Sequence, residues 1–261
     1  MGRLPKRLPH GEGATVVDHL EELRSRLIVV LCAVALTTIV AFAFHGHILD
    51  WLNHPLPADR RRVVTLGVAE PFTVSVTVSV YAGFLLALPV ILWQGWSFIA
   101  PAFDPSIERN VLGLVAFATA LGAAGLAFGY LIVLPRALQW LTHYDDTHFT
   151  NLIQAKAYYS FTATVLLGIV LVFELPMFVL GLVSIGVLSS ASLRRNRRLG
   201  YFIVAVIALG LPGPDPVTTG LELLPMWALF EGSIWLAVFV ERARPEALAW
   251  EGLDASTQRP D

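Results

Sequence analysis

Three short stretches hold carboxylates where a largely apolar chain would least be expected to carry them. In "DHLEELRSRL", Asp18 to Leu27, Glu22 stands four residues before Arg26 and Glu21 three before Arg24. Those spacings permit ion pairs along one helix, each contributing about 0.2–0.5 kcal/mol. In "FIAPAFDPSIERN", Phe98 to Asn110, Glu108 and Arg109 close a connection that also contains Pro101 and Pro105. In "LVFELPMF", Glu174 sits in the middle of a long apolar run. An ionisable group at that depth costs roughly 3 kcal/mol on insertion scales, so a functional role is its first reading. A neutral glutamic acid hydrogen-bonded to a neighbouring helix is the alternative. Taken alone, the first two stretches read more simply as interfacial turns whose arginines set orientation. Glu222 and Glu231 lie nearer the ends of a short segment, and Asp215, in Pro214-Asp215-Pro216, reads as a turn residue on the outer face. His45, His47 and His54 have no acidic or sulfur-bearing partners arranged to complete a metal site. No nucleophile, base and orienting group converge at recognisable spacing, so a membrane-bound enzyme is disfavoured.

The elements that must position these groups follow from composition. Of 261 residues 56% are hydrophobic and 15% charged, and the charges cluster between long apolar runs. That describes an all-α polytopic membrane protein. A net charge of −2 supplies no basic field for nucleic acid. The single cysteine, Cys32, lies inside an apolar run and behaves as a small hydrophobe. Six transmembrane segments can be marked, at 27–44, 72–93, 111–135, 159–186, 199–211 and 220–240. Most approach the roughly 20 residues needed to cross a hydrocarbon core. The fifth does not, so either the bilayer thins around the fifth and sixth spans or the pair forms a re-entrant hairpin. The first run ends in Ala41-Phe42-Ala43 after Arg24 and Arg26, which resembles a cleavable signal peptide. Its length, its acidic flank and the comparable runs that follow favour a retained span.

Of the 18 lysines and arginines, thirteen fall on one set of alternate connections and five on the other. The positive-inside rule then places both termini in the cytoplasm. The Arg60 to Arg62 triplet is a solvated loop cluster far from either flanking span. Thr15 and Asp18 resemble a capping box, so a helix starts near Val16 and runs unbroken into the first span. Gly122, Gly125 and Gly129 share one face of the third span and invite close helix approach. Pro89, Pro135, Pro176 and Pro225 should bend or end their spans.

Taken in order, "HLEELRSRL" before the first span, "SFIAPAF" and "ER" after the second, "FELP" in the fourth, "PDP" between the fifth and sixth, and "FE" in the last resemble the TatC family. Its members are receptor subunits of the twin-arginine protein translocase. The resemblance spans roughly residues 15 to 242 as one domain, leaving 1–14 as a flexible cytoplasmic N-terminus and 243–261 as a cytoplasmic tail. It implies a glove-shaped concave bundle of six helices with short fifth and sixth spans, in the bacterial plasma membrane. It further implies that Glu22 and Glu108 form the cytoplasmic site for the twin-arginine signal peptide of folded cargo. Arg24, Arg26, Phe98 and Arg109 fall on matching basic and aromatic positions of that site. Glu174 corresponds to the family's mid-membrane glutamate, which faces the concave side and contacts single-span TatA/TatB-type partners. An oligomeric complex in lipid, with no cofactor, completes the expectation. Two departures stand out: Asn110 replaces a second basic residue, and "LPGPDP" replaces a more usual Thr-Pro-Pro-Asp. A proton-coupled small-solute transporter is the alternative suggested by Glu174 and the prolines, but the halves show no convincing repeat.

Overall fold

Helices account for nearly all of the regular structure in the computed structural model, which describes residues 16–99, 111–145, 147–148, 152–185, 187–210 and 215–257. Helix α1 spans Val16–Ala43 and carries "DHLEELRSRL" without a break into the first apolar run. A short helix α2, His45–Asn53, follows. Strand β1 is Val63–Val64, and α3 runs Glu70–Ile99 straight through Pro89. Next comes α4, Val111–Phe128, then a π-helical turn over Gly129–Val133 and α5, Leu134–Thr142. Strand β2, Ile153–Gln154, leads into α6, Ala155–Phe173, and α7, Leu175–Ser184. The remaining helices are α8, Ser190–Arg195, α9, Arg197–Gly210, and α10, Pro216–Thr257.

Five of these stretches are long and apolar enough to cross a bilayer: His19–Ala43, Glu70–Ile99, Val111–Thr142, Ala155–Ser184 and Pro216–Phe239. Helix α9, with 14 residues, is the short one, as expected for the fifth segment. The sixth is not short, contrary to expectation. Asp215 accepts the backbone N–H groups of Val217 and Thr218 at 3.1 and 2.8 Å and the Thr218 hydroxyl, so the helix begins at Pro216. Asp215 is therefore a buried cap, where the outer face of a turn was expected. The third span also exceeds its expected end at Pro135. A proline cannot donate to the carbonyl four residues back, and the π turn at Gly129–Val133 absorbs that mismatch, letting the chain stay helical to Thr142.

The glycine face of α4 meets α6 as its spacing predicts. A Cβ at Gly125 would lie 2.8 Å from the Phe173 ring, and one at Gly129 would lie 3.1 Å from Ile169 and Leu166 side chains. The largest core cluster joins Val133, Leu134, Tyr158, Val165, Leu166 and Ile169 to Leu52 of α2 and Leu56 just after it.

At the end of the bundle opposite Glu22, the loops are tied down by backbone pairing. Strands β1 and β2 pair in parallel, Val63 with Ile153 and Val64 with Gln154. Glu70 is buried beside them and accepts N–H groups from Leu66 at 2.8 Å, Gly67 at 3.1 Å and Lys156 at 3.0 Å. One carboxylate thus joins the entrance of α3 to the start of α6. Glu70→Ala strands those three donors, and we expect a loss of about 2 kcal/mol, read as a lower unfolding midpoint and faster proteolysis of the 54–69 connection.

Candidate functional site

Residues of the first two motifs assemble where the start of α1 meets the end of α3. The i, i+4 spacing in α1 brings Arg26 onto Glu22, with Nε 2.9 Å and Nη2 2.5 Å from the same oxygen, Oε1. The same guanidinium reaches across to α3, donating to Gln94 Oε1 at 3.2 Å and to the Ser97 carbonyl at 3.1 Å. Arg26 is therefore a strut with four hydrogen bonds, and Glu22 is held by it in a fixed place. Among the described residues Glu22 Oε2 has no partner. One turn before Glu22, His19 stacks on Phe98, with ring centroids 4.4 Å apart and planes at 21°. Arg24 is exposed and lies two residues from Glu22, about 200° around the helix. The structure thus brings Glu22, Arg26 and Phe98 together and leaves Arg24 on another face. Glu108 and Arg109 lie outside the described residues.

Gln94, Ser97 and His19 were not singled out from sequence. Gln94 had a legible signal, a lone amide in an apolar run one turn before the connection. The role of Ser97 runs through its backbone carbonyl, which no side-chain pattern announces.

Glu174 occupies the joint between α6 and α7. Pro176 cannot continue the hydrogen-bond ladder of α6, so the helix breaks and restarts with Glu174 in the N-cap position of α7. Its side chain is 2% exposed, packed near Gly122, and neither carboxylate oxygen has a hydrogen-bond partner among the described residues. It is enclosed within this chain, whereas an opening onto a concave face was expected. Glu174 is both the C-cap of α6 and the N-cap of α7, so the opposed ends of two helix dipoles meet at it.

A second carboxylate is equally isolated. Glu222, passed over as near the end of a span, is 3% exposed, and among the described residues neither of its oxygens has a hydrogen-bond partner. It lines a narrow crevice with Phe128, Ile169, Val172, Phe173, Pro225 and Met226, all apolar. A buried polar group without a hydrogen bond costs about 1–3 kcal/mol in proteins. Replacement by an apolar side chain of similar volume should therefore stabilise the bundle. We expect Glu222→Met to raise the thermal unfolding midpoint in detergent, and a lower midpoint would show that Glu222 has a partner contributing to stability.

The geometry has counterparts among known proteins. A family model described as "Sec-independent protein translocase protein (TatC)" matches residues 18–225. The TatCd protein of Bacillus subtilis is 34% identical over 229 residues, covering 88% of this chain and 93% of that protein. The chloroplastic TATC of Arabidopsis thaliana is 33% identical, over 91% of this chain and 70% of the relative. A crystal structure described as the twin arginine translocase receptor TatC superposes with a TM-score of 0.73 at 31% identity, covering 85% of this chain and 98% of the other. A family match over most of the chain, relatives above 30% identity and a shared fold agree: this multi-pass membrane chain belongs to the TatC family of Sec-independent protein translocase proteins.

Proposed function

We propose that this chain is the receptor subunit that binds twin-arginine signal peptides of folded proteins at the cytoplasmic face of a bacterial plasma membrane. In this reading it assembles with single-span TatA/TatB-type partners for export. The observation that carries the reading is the held carboxylate of Glu22. Arg26 fixes Oε1 and ties it to Gln94 and Ser97, so Oε2 stands as a ready acceptor with no local partner among the described residues. Holding the acceptor in advance reduces the ordering cost of binding.

A signal peptide with two adjacent arginines offers two planar guanidinium forks. Glu22 supplies one acceptor and Glu108, on the connection that follows α3, supplies the other. The stacked pair of His19 and Phe98 borders the same place and offers a flat face on which a guanidinium can lie. The side assignment rests on the lysine and arginine bias of the connections. Glu174, at the joint between α6 and α7, serves in this reading as the intramembrane contact for a partner helix.

The deciding experiment is export of a twin-arginine reporter in cells lacking their own subunit. Wild type should restore export, while Glu22→Ala and Glu108→Ala should not, at equal levels of membrane-inserted protein. Restored export by both variants would overturn the reading.

A further inference from the structure

The end of α8 and the start of α9 gather Arg194, Arg195, Arg197 and Arg198 within five residues. Arg194, Arg195 and Arg198 are exposed, and among the described residues no carboxylate pairs with them. The carboxylates that α10 brings to this place are already committed. Glu241 accepts the Ser190 N–H at 2.8 Å and the Ser190 hydroxyl. Glu231 receives the Tyr201 hydroxyl and lies 3.5 Å from Arg197 Nη2. Arg197 itself keeps a buried Nε–H with no acceptor among the described residues. Four arginines thus face two carboxylates here, and the guanidinium groups of Arg194, Arg195 and Arg198 stay exposed.

Beside the arginines, α9 and α10 part to form a groove of about 410 Å³ lined by Tyr201, Trp227, Ala228 and Glu231. Gly200 lets the two helices close at one end of it, because the Phe230 ring occupies the space a Cβ would take. Phe202, next along α9 after Tyr201 and one turn after Arg198, is exposed. Tyrosine and tryptophan at such a level are the side chains that favour the headgroup zone of a bilayer.

We propose that this arginine rim and groove bind an anionic phospholipid, with the headgroup phosphate on Arg194, Arg195 and Arg198 and an acyl chain along Trp227 and Ala228. Setting the orientation of the chain needs only positive charge, which lysine supplies equally. A fork of planar donors beside a groove walled by Tyr201 and Trp227, whose one carboxylate, Glu231, is engaged by Tyr201 and Arg197, suits something more: a phosphate with hydrocarbon attached. Basic pockets between spanning helices hold acidic headgroups on the same principle. A soluble phosphate would gain nothing from the groove, and a zwitterionic lipid brings its own cation against the arginines.

The test is native mass spectrometry of the delipidated whole chain in a nonionic detergent, titrated with phosphatidylglycerol, with phosphatidylcholine of the same acyl chains, or with inorganic phosphate. Phosphatidylglycerol should bind at least tenfold more tightly than phosphatidylcholine, and millimolar phosphate should not displace it. Combined exchange Arg194→Gln, Arg195→Gln and Arg198→Gln should remove that preference. The corresponding lysine exchanges preserve charge and orientation and should give an intermediate loss, which separates the effect from misinsertion. Trp227→Ala should weaken both lipids alike. Equal retention of the two lipids by wild type, an unaltered preference in the glutamine variant, or displacement by millimolar phosphate would each overturn the proposal.

Discussion

Exchange of Glu22 for glutamine should lower the affinity for a peptide with adjacent arginines by about ten- to a hundredfold, because hydrogen bonds to charged groups contribute about 1.5–3 kcal/mol. The loss has two parts. Glutamine removes the charge that Oε2 offers, and it weakens the pair with Arg26 that fixes the side chain. Arg26 would keep its bonds to Gln94 and the Ser97 carbonyl, so α1 and α3 stay joined and the defect remains local. Glu108→Ala should produce a comparable loss, and a Lys-Lys peptide should bind the wild type as weakly as Arg-Arg binds the variants. Fluorescence anisotropy with labelled peptides on the purified chain reads all of these. Indifference of wild type to the Arg-Arg to Lys-Lys change would remove Glu22 from the site.

Gly83→Leu should prevent α1 from docking and abolish recovery of folded protein, and Gly83→Ala should already destabilise. A Cβ at Gly83 would lie 2.6 Å from Thr38 Cα and 2.7 Å from Thr38 N. These are backbone atoms, which cannot turn aside as a flexible side chain would. The close approach also lets the Thr37 hydroxyl donate to the Gly83 carbonyl at 2.7 Å. Two effects compete in the alanine variant. Helix propensity favours alanine by about 1 kcal/mol, while overpacking costs about 1–3 kcal/mol and more when backbone must move. The steric term wins because separating the helices also breaks the Thr37 bond. Gly95 is the control: nothing lies within 4 Å of its would-be Cβ, so Gly95→Ala should be neutral or stabilising. Thermal midpoints in one detergent decide between them, and equal midpoints for the two alanine variants would contradict the packing account.

These two glycines mark the boundary of what was legible beforehand. Both stand within α3, and nothing in the local pattern marks the first as indispensable, since only the neighbouring helix makes it so. Gly122, Gly125 and Gly129 were readable because spacing of three and four repeats along one face. The Glu22–Arg26 pair was readable for the same reason, being local to one helix. Its link to Gln94 and Ser97 was not, because it joins residues about seventy positions apart. Prolines were legible as irregularities but not as outcomes. Pro89 is carried within α3, Pro135 is absorbed by a π turn, and Pro176 breaks its span at Glu174. Depth was misjudged for Glu222 and Asp215, since distance from a segment's end says little about which helices cover it. The resemblance to a family added what spacing could not, the pairing of Glu22 with Glu108 in one role.

Helix α9 has one further consequence. Its 14 residues rise only about 21 Å, against a hydrocarbon core of roughly 30 Å. Where lipid shortens to match it, the full membrane potential falls over the shorter path. The electric field beside α9 is then about 1.4 times steeper than elsewhere, although the work per charge, about 2.3 kcal/mol per 100 mV, is unchanged. Under that condition a charged segment crossing beside α9 would feel a stronger force over a shorter distance than where the bilayer keeps its full thickness.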